Sequence, residues 1–180
     1  MHEMPGMGRQ MRKFLIDRKI EIDAAHRVHL HGSKCGQLHG HRYSVHAVCS
    51  GSLAEGGEED GMVMDFGFLK DEMISVIDDC CDHGLILSEK DPLLNILLSK
   101  DFKHHPIIGP GGFSLIPYSI VHDVSIGKIY IIKNTPTAEN LAQHWFLRLA
   151  PKIKSKSNDR AVLERVTVFE TPNCYASYPL

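Results

Sequence analysis

Two segments in which apolar residues recur at every second position enclose a stretch rich in histidine and glycine, and this arrangement fixes much of what the N-terminal part can become. In residues 13–25 (KFLIDRKIEIDAA), Phe14, Ile16, Ile20 and Ile22 fall on a period near two. Residues 41–50 (HRYSVHAVCS) alternate again and end at Gly51. A period of two places every second side chain on one face of an extended chain, so both segments are predicted as strands. Between them lies a polar loop with Gly32, Gly36 and Gly40. The acidic, Gly-rich segment from Gly51 to Gly61 reads as a hairpin loop.

A helical pattern opens at Asp65. Phe66, Leu69, Met73, Ile74 and Ile77 are spaced as on one helix face, and the helix is expected to fade near Asp82. Residues 127–133 read as a strand. Thr135-Pro136 reads as a helix start, with Thr135 as cap and Pro136 at the first helical position, and Pro151 reads as its stop. A charged linker (152–160), a strand (162–170) and a short final strand (174–178) follow. The segment from about 88 to 126 breaks this rhythm with four prolines and the run Gly109-Pro110-Gly111-Gly112. It is read as a long insert in one domain spanning 1–180, because a loop of this length is usually functional or partly disordered. His104, His105 and His122 within it are read as solvent-facing. Strands with helices packed on one face give an α+β architecture.

The chemistry concentrates in His26 to His41, HRVHLHGSKCGQLHGH. His39 and His41 point to the same face if the chain is extended there. His26 ends the preceding strand, and pairing of the two strands brings a third imidazole to the same place. Three neutral imidazoles with an open fourth position form the donor set of a catalytic zinc site. Spacing alone also admits the bland reading of polar loop histidines, and His29 and His31 compete for the ligand role. Cys35 lies four residues before His39. A thiol near a metal or a cation has a lowered pKa and serves as nucleophile or base; by itself it reads as a loop cysteine. Asp82-His83 pairs a carboxylate with an imidazole, as proton transfer requires, although such pairs arise by chance. Glu170 ends an otherwise apolar strand. A carboxylate there suits the amidine-like edge of a guanine or pterin ring, and equally a surface strand end.

Composition narrows the classes further. The 180 residues suffice for a core, and a net charge of −2 leaves no basic field for a nucleic-acid partner. No stretch approaches the ~20 apolar residues of a membrane span. Residues 1–12 lack the apolar segment of a signal peptide, so the cytoplasm is the expected location. Five cysteines without paired spacing make a poor disulfide framework, and Cys80-Cys81 reads as a pair of buried thiols at a helix end.

Taken in order, IDAAHR (22–27), CGQLHGH (35–41), MVMDFGFLK (62–70), DHGLIL (82–87), PTAEN (136–140) and FETPNCYASY (169–178) resemble the 6-pyruvoyl-tetrahydropterin synthase / 6-carboxytetrahydropterin synthase family. The combination of Cys-x-x-x-His-Gly-His with an upstream Ala-His-Arg is highly specific. The match covers most of the chain outside the first dozen residues and the 88–126 segment. The resemblance implies a tunnelling fold (T-fold): an antiparallel four-stranded sheet with two helices on one face, oligomerised into a barrel with active sites at subunit interfaces. It implies Zn2+ held by His26, His39 and His41. It implies Cys35 as general base, Asp82 and His83 as the partner relay, Glu170 as pterin anchor and Thr137 beside it. The implied substrate is 7,8-dihydroneopterin triphosphate. Cys-Gly-Gln-Leu-His-Gly-His is similar to the carboxy-forming branch of 7-deazaguanine (queuosine) biosynthesis. The pyruvoyl-forming branch and a non-catalytic pterin- or purine-binding T-fold protein are the alternatives. A generic zinc hydrolase gives Cys35 no task and finds no HExxH-type Glu. The chain departs from the family pattern after Asp-His, where it has Gly-Leu-Ile-Leu, and in the length of the 88–126 segment.

Overall fold

The alternating segments pair as antiparallel strands, β1 (Phe14–His26) and β2 (His39–Gly51), in register along their whole length. Ile20 faces Val45, Ile22 faces Tyr43, Ala24 faces His41 and His26 faces His39. Ile20, Ile22, Ala24, Tyr43, Val45 and Ala47 are all buried, so one face of this ladder is core and its last rungs are histidine. The computed structural model describes residues 13–98 and 127–180, and the backbone of 105–107 and 118–123.

Helix α1 (Phe66–Met73) starts at Asp65, whose side chain accepts from the Gly67 N–H and satisfies a donor the helix cannot. It continues through a π-helical turn (Ile74–Asp78) into the short α2 (Asp79–Cys81). Leu69, Met73, Val76, Ile77, Cys80 and Cys81 are buried, which keeps the two thiols in the core as the sequence predicts. Within the π turn, Arg148 donates to the Val76 carbonyl at 2.9 Å.

Strand β3 (Gly84–Ser88) follows at once and runs parallel to both β1 and β6 (Gly127–Ile132). Helix α4 (Ala138–Lys156) buries Leu141, Ala142, Trp145, Leu149 and Ile153 on the sheet face already covered by α1. Strands β7 (Ala161–Thr171) and β8 (Cys174–Tyr178) close the chain. With β4 (His105–Ile107) and β5 (Tyr118–Asp123), the order in the sheet is β4-β5-β6-β3-β1-β2-β7-β8.

The sheet is mixed and eight-stranded, not an antiparallel sheet of four. The fourth motif, DHGLIL, runs from the end of α2 into the parallel strand β3, which starts at its Gly84. Leu87 and Ile129 pack away from the main core, against Leu94 of a third short helix, α3 (Leu93–Leu97). Helices therefore cover both faces of this part of the sheet, and its strands read as continuous apolar runs rather than alternating ones. The 88–126 segment supplies α3, β4 and β5 rather than one long loop. The side chains of His104, His105 and His122, the Gly109–Gly112 run and residues 1–12 lie outside the described residues. Residues 51–61 link β2 to α1, while the hairpin connection is 27–38.

Helix α4 also differs at both ends. It is capped by Thr137, whose hydroxyl accepts from the Asn140 N–H, not by Thr135. It runs through Pro151 to Lys156, so no linker occupies 152–156. Proline in a helix costs about 3 kcal/mol. Here Ile153 continues the stripe of Trp145 and Leu149 and is fully buried, which returns about 1.5–3 kcal/mol.

Candidate metal centre and substrate cavity

The inward face of the sheet ends in polar groups on three neighbouring strands. On β1 it ends in His26, 1 % exposed. On β2 it ends in His41 and His39. On β7 the inward residues Val166 and Val168 lead to Glu170, beside an irregularity in the β7–β8 ladder between Phe169 and Thr171. Bulges of this kind re-aim a side chain, and Glu170 Oε1 comes to 4.0 Å from His26 Nε2. The periodicity that builds the core thus also gathers the donors.

One ring nitrogen from each of His26, His39 and His41 lies within 4.8 Å of the others. His26 Nδ1 meets the Pro136 carbonyl at 2.7 Å, and His39 Nδ1 meets the Gln37 carbonyl at 2.8 Å. A carbonyl only accepts, so in both neutral rings the proton sits on Nδ1 and the lone pair on Nε2. The two Nε2 atoms are 3.1 Å apart. Two lone pairs that close repel one another unless a cation lies between them. The donor set therefore fits a metal ion, with the carbonyls fixing the tautomers as outer partners of metal-bound histidine usually do. Burial, and secondarily the neighbouring His39 and His41, pushes the His26 pKa down to about 4; the Pro136 carbonyl opposes this. Burial lowers that of His41 as well. Both effects keep the rings neutral, as ligation requires. Tyr43 packs edge-on against His26 and His41, with ring centroids 5.7 and 5.5 Å away.

A cavity of about 260 Å³ opens onto this cluster, lined by His26, His39, Cys35, Thr137, Glu170 and Tyr175. Cys35 sits in a 3-10 turn (Lys34–Gly36), where its carbonyl accepts from the Val28 N–H at 2.8 Å. Gly36 permits the close approach in that turn, since a Cβ there would lie 2.3 Å from the His31 carbonyl oxygen and force the backbone to shift. Of the rival histidines, His29 and His31 stand outside the donor cluster.

Asp82 and His83 are placed differently. His83 lines a second cavity of about 660 Å³ with His41, Asp23, Leu38 and Lys128. Its Nδ1 is 2.7 Å from Asp82 Oδ2, and its side chain is 79 % exposed. The Asp23 backbone grips both residues: its N–H donates to Asp82 Oδ1 at 2.8 Å, and its carbonyl accepts from the His83 N–H at 2.7 Å. His83 adopts a left-handed backbone (φ 52°), a conformation that costs about 1–3 kcal/mol and often marks functional sites. Burial opposes ionisation of Asp82, but the Asp23 N–H and His83 outweigh it and hold the carboxyl below its usual value.

Sequence reasoning missed the carbonyls of Pro136 and Gln37, the support from Tyr43, and Glu139, Cys174 and Tyr175 in the cavity wall. The NCY run three residues after Glu170 was the available signal for the last two, since a tight turn there folds β8 back onto β7.

The profile of the family described as 6-pyruvoyl tetrahydropterin synthase matches residues 15–179. A Rickettsia bellii protein named 6-carboxy-5,6,7,8-tetrahydropterin synthase is 33% identical over 158 residues, covering 88% of this chain and 94% of its own. A Haemophilus influenzae protein of the same name is 27% identical over 168 residues, covering 92% and 98%. Among solved structures, an uncharacterised protein of Wolinella succinogenes superposes with a TM-score of 0.70 at 20% identity, covering 92% of this chain and 97% of that one. A Plasmodium vivax 6-pyruvoyltetrahydropterin synthase gives 0.58 at 19%, covering 92% and 96%. These two share the fold, a mixed α+β architecture. With the profile spanning nearly the whole sequence and a relative one-third identical, the chain belongs to the 6-pyruvoyl tetrahydropterin synthase family.

Proposed function

We propose that the chain is a zinc-dependent 6-carboxy-5,6,7,8-tetrahydropterin synthase. The substrate is 7,8-dihydroneopterin triphosphate, and water, triphosphate loss and carbon–carbon cleavage give 6-carboxytetrahydropterin and acetaldehyde. The observation that carries this reading is the single cavity joining the His26 and His39 donors to Cys35, Thr137 and Glu170. The names of the relatives favour the carboxy-forming branch, on the way to 7-deazaguanines such as queuosine.

His26, His39 and His41 hold the zinc, which when bound acts as a Lewis acid on the hydroxyls of the substrate side chain. Glu170 accepts two hydrogen bonds from the amino-pyrimidine edge of the pterin, and Thr137 lies in the same wall. Cys35 takes a side-chain proton as the general base. His83, oriented by Asp82, moves a second proton. Its exposure supports a site completed between subunits of a homo-oligomer, where it faces a neighbour rather than water. The 88–126 segment is read as an addition to one pterin synthase-like domain spanning 1–180. Among the described residues no helix is long and apolar enough to cross a membrane. The cytoplasm is the proposed location, in keeping with five free cysteines.

The test is mass spectrometry of the products formed from 7,8-dihydroneopterin triphosphate. Carboxypterin with acetaldehyde supports the reading. A pyruvoyl product moves the chain to the other branch, and ligand binding without turnover favours a binding module. Cys35→Ala is expected to keep its zinc and lose at least about a hundredfold in kcat, the usual scale of a general base; full activity in that variant removes Cys35 from its role.

A further inference from the structure

Asp91 is a buried carboxylate far in sequence from the histidines. Its residue is 2 % exposed, yet it carries a charge, since Arg27 binds it through both ends of the guanidinium fork. The Arg27 Nε–Asp91 Oδ2 distance is 2.8 Å, and Nη2 contacts Oδ1. The Leu93 N–H donates to Oδ1 at 2.8 Å, and His29 Nδ1 stands 4.0 Å from Oδ2. Burial resists the charge, but Arg27 and the Leu93 N–H more than offset it and hold the carboxyl below its ordinary value. A buried ion pair is a poor device for stability alone, because desolvation cancels much of the attraction. It is a good device for fixing geometry, since a bidentate fork admits one arrangement.

What that arrangement fixes is the connection that carries Cys35. Arg27 directly follows His26. Val28, next in the chain, donates to the Cys35 carbonyl at 2.8 Å and accepts from the His31 N–H at 2.8 Å. Gly36 then sits against the His31 carbonyl, and the Gln37 carbonyl orients His39. The path runs unbroken from Asp91 through Arg27 and Val28 to Cys35 and His39.

We propose that Asp91 is a positioning residue: the start of the 88–126 segment clamps Arg27 and so sets the place of Cys35 in the substrate cavity. This rests on the reading of Cys35 as the base. It gives the segment a role in catalysis without contact with substrate.

The test compares wild type, Asp91→Asn and Arg27→Lys as zinc-loaded full-length proteins. The first variant removes the charge and the second keeps charge but loses the fork. Hydrogen–deuterium exchange of residues 27–38 is expected to rise in both, with residues 42–51 unchanged and zinc content preserved. kcat is expected to fall at least about tenfold with KM moving less than about twofold, as displacement of a catalytic group predicts. Wild-type kcat in a folded Asp91→Asn protein overturns the proposal, whether or not its melting temperature drops. So does unchanged exchange in 27–38. If Asp91→Asn does not fold, Arg27→Lys decides by the same two readouts. If wild type itself does not turn over the pterin triphosphate, the functional reading falls, and the exchange data alone decide whether the clamp holds the loop.

Discussion

His26 carries more of the site than any other residue, because two different constraints meet on its ring. Nδ1 is tied to a carbonyl 110 positions away, and Nε2 faces His39. The sequence announced the second constraint through the strand pairing but not the first, since a backbone carbonyl leaves no mark in residue identity. The same holds for the Cys35 turn. Its glycine was legible only as loop composition, while its necessity comes from a close approach visible in three dimensions. The two glycines near the donors differ in a measurable way. A Cβ at Gly36 lies 2.3 Å from the His31 carbonyl oxygen, whereas one at Gly40 lies 3.2 Å from that of Ala24. Gly36→Ala must displace backbone, and is expected to cost about 1–3 kcal/mol, the usual penalty of overpacking. Gly40→Ala needs a shift of a few tenths of an ångström and is expected to cost under about 1 kcal/mol. Urea denaturation of the two variants checks the ranking, and equal losses would count against the close approach at Gly36.

At the scale of elements, alternation was the informative signal where one face of a strand is buried and the other is not. It placed β1, β2 and β7 within a few residues and put the histidines and Glu170 on or beside their strands. It failed for β3, buried on both faces and only five residues long, which looked like a motif after a helix. The rule that proline breaks a helix likewise ended α4 too early, at Pro151, where the buried Ile153 beyond it is decisive. Ile153→Ala is therefore expected to destabilise the protein by about 2–4 kcal/mol, as for other core truncations. A loss below about 0.5 kcal/mol in thermal or urea unfolding would mean that the last turn is not docked. The cap shifted by two residues for a related reason. With Thr137 rather than Thr135 as cap, Asn140 N–H is satisfied by a hydroxyl, and the Pro136 carbonyl is left for His26.

Across the whole molecule, the polar groups buried in the core are a source of pH dependence distinct from the three-histidine cluster. His144 on α4 lies against Tyr130, with Nε2 2.6 Å from the hydroxyl. Burial, helped by Arg148, lowers its pKa to about 3. In the unfolded chain the same ring has a pKa of about 6.5. Below that pH the unfolded state takes a proton that the folded state refuses, so stability falls by up to about 1.4 kcal/mol per pH unit until the folded ring titrates near 3. His144→Gln keeps a polar partner for Tyr130 and removes the titration. Its loss of stability between pH 6.5 and 4.5 is expected to be about 2 kcal/mol smaller than that of wild type in urea unfolding; equal losses would assign the acid sensitivity elsewhere. The placement of the metal donors has a further consequence, in the order of assembly. All three imidazoles belong to one hairpin, whose closure joins His26 to His39 across the connection 27–38. The entropy of closing a loop grows only slowly with its length, and contacts local in sequence form early in folding. The nascent hairpin can therefore bring its three imidazoles together before either long helix docks. The arrival of the chain that leads into α4, bringing the Pro136 carbonyl to His26, then fixes the orientation and tautomer of that ring.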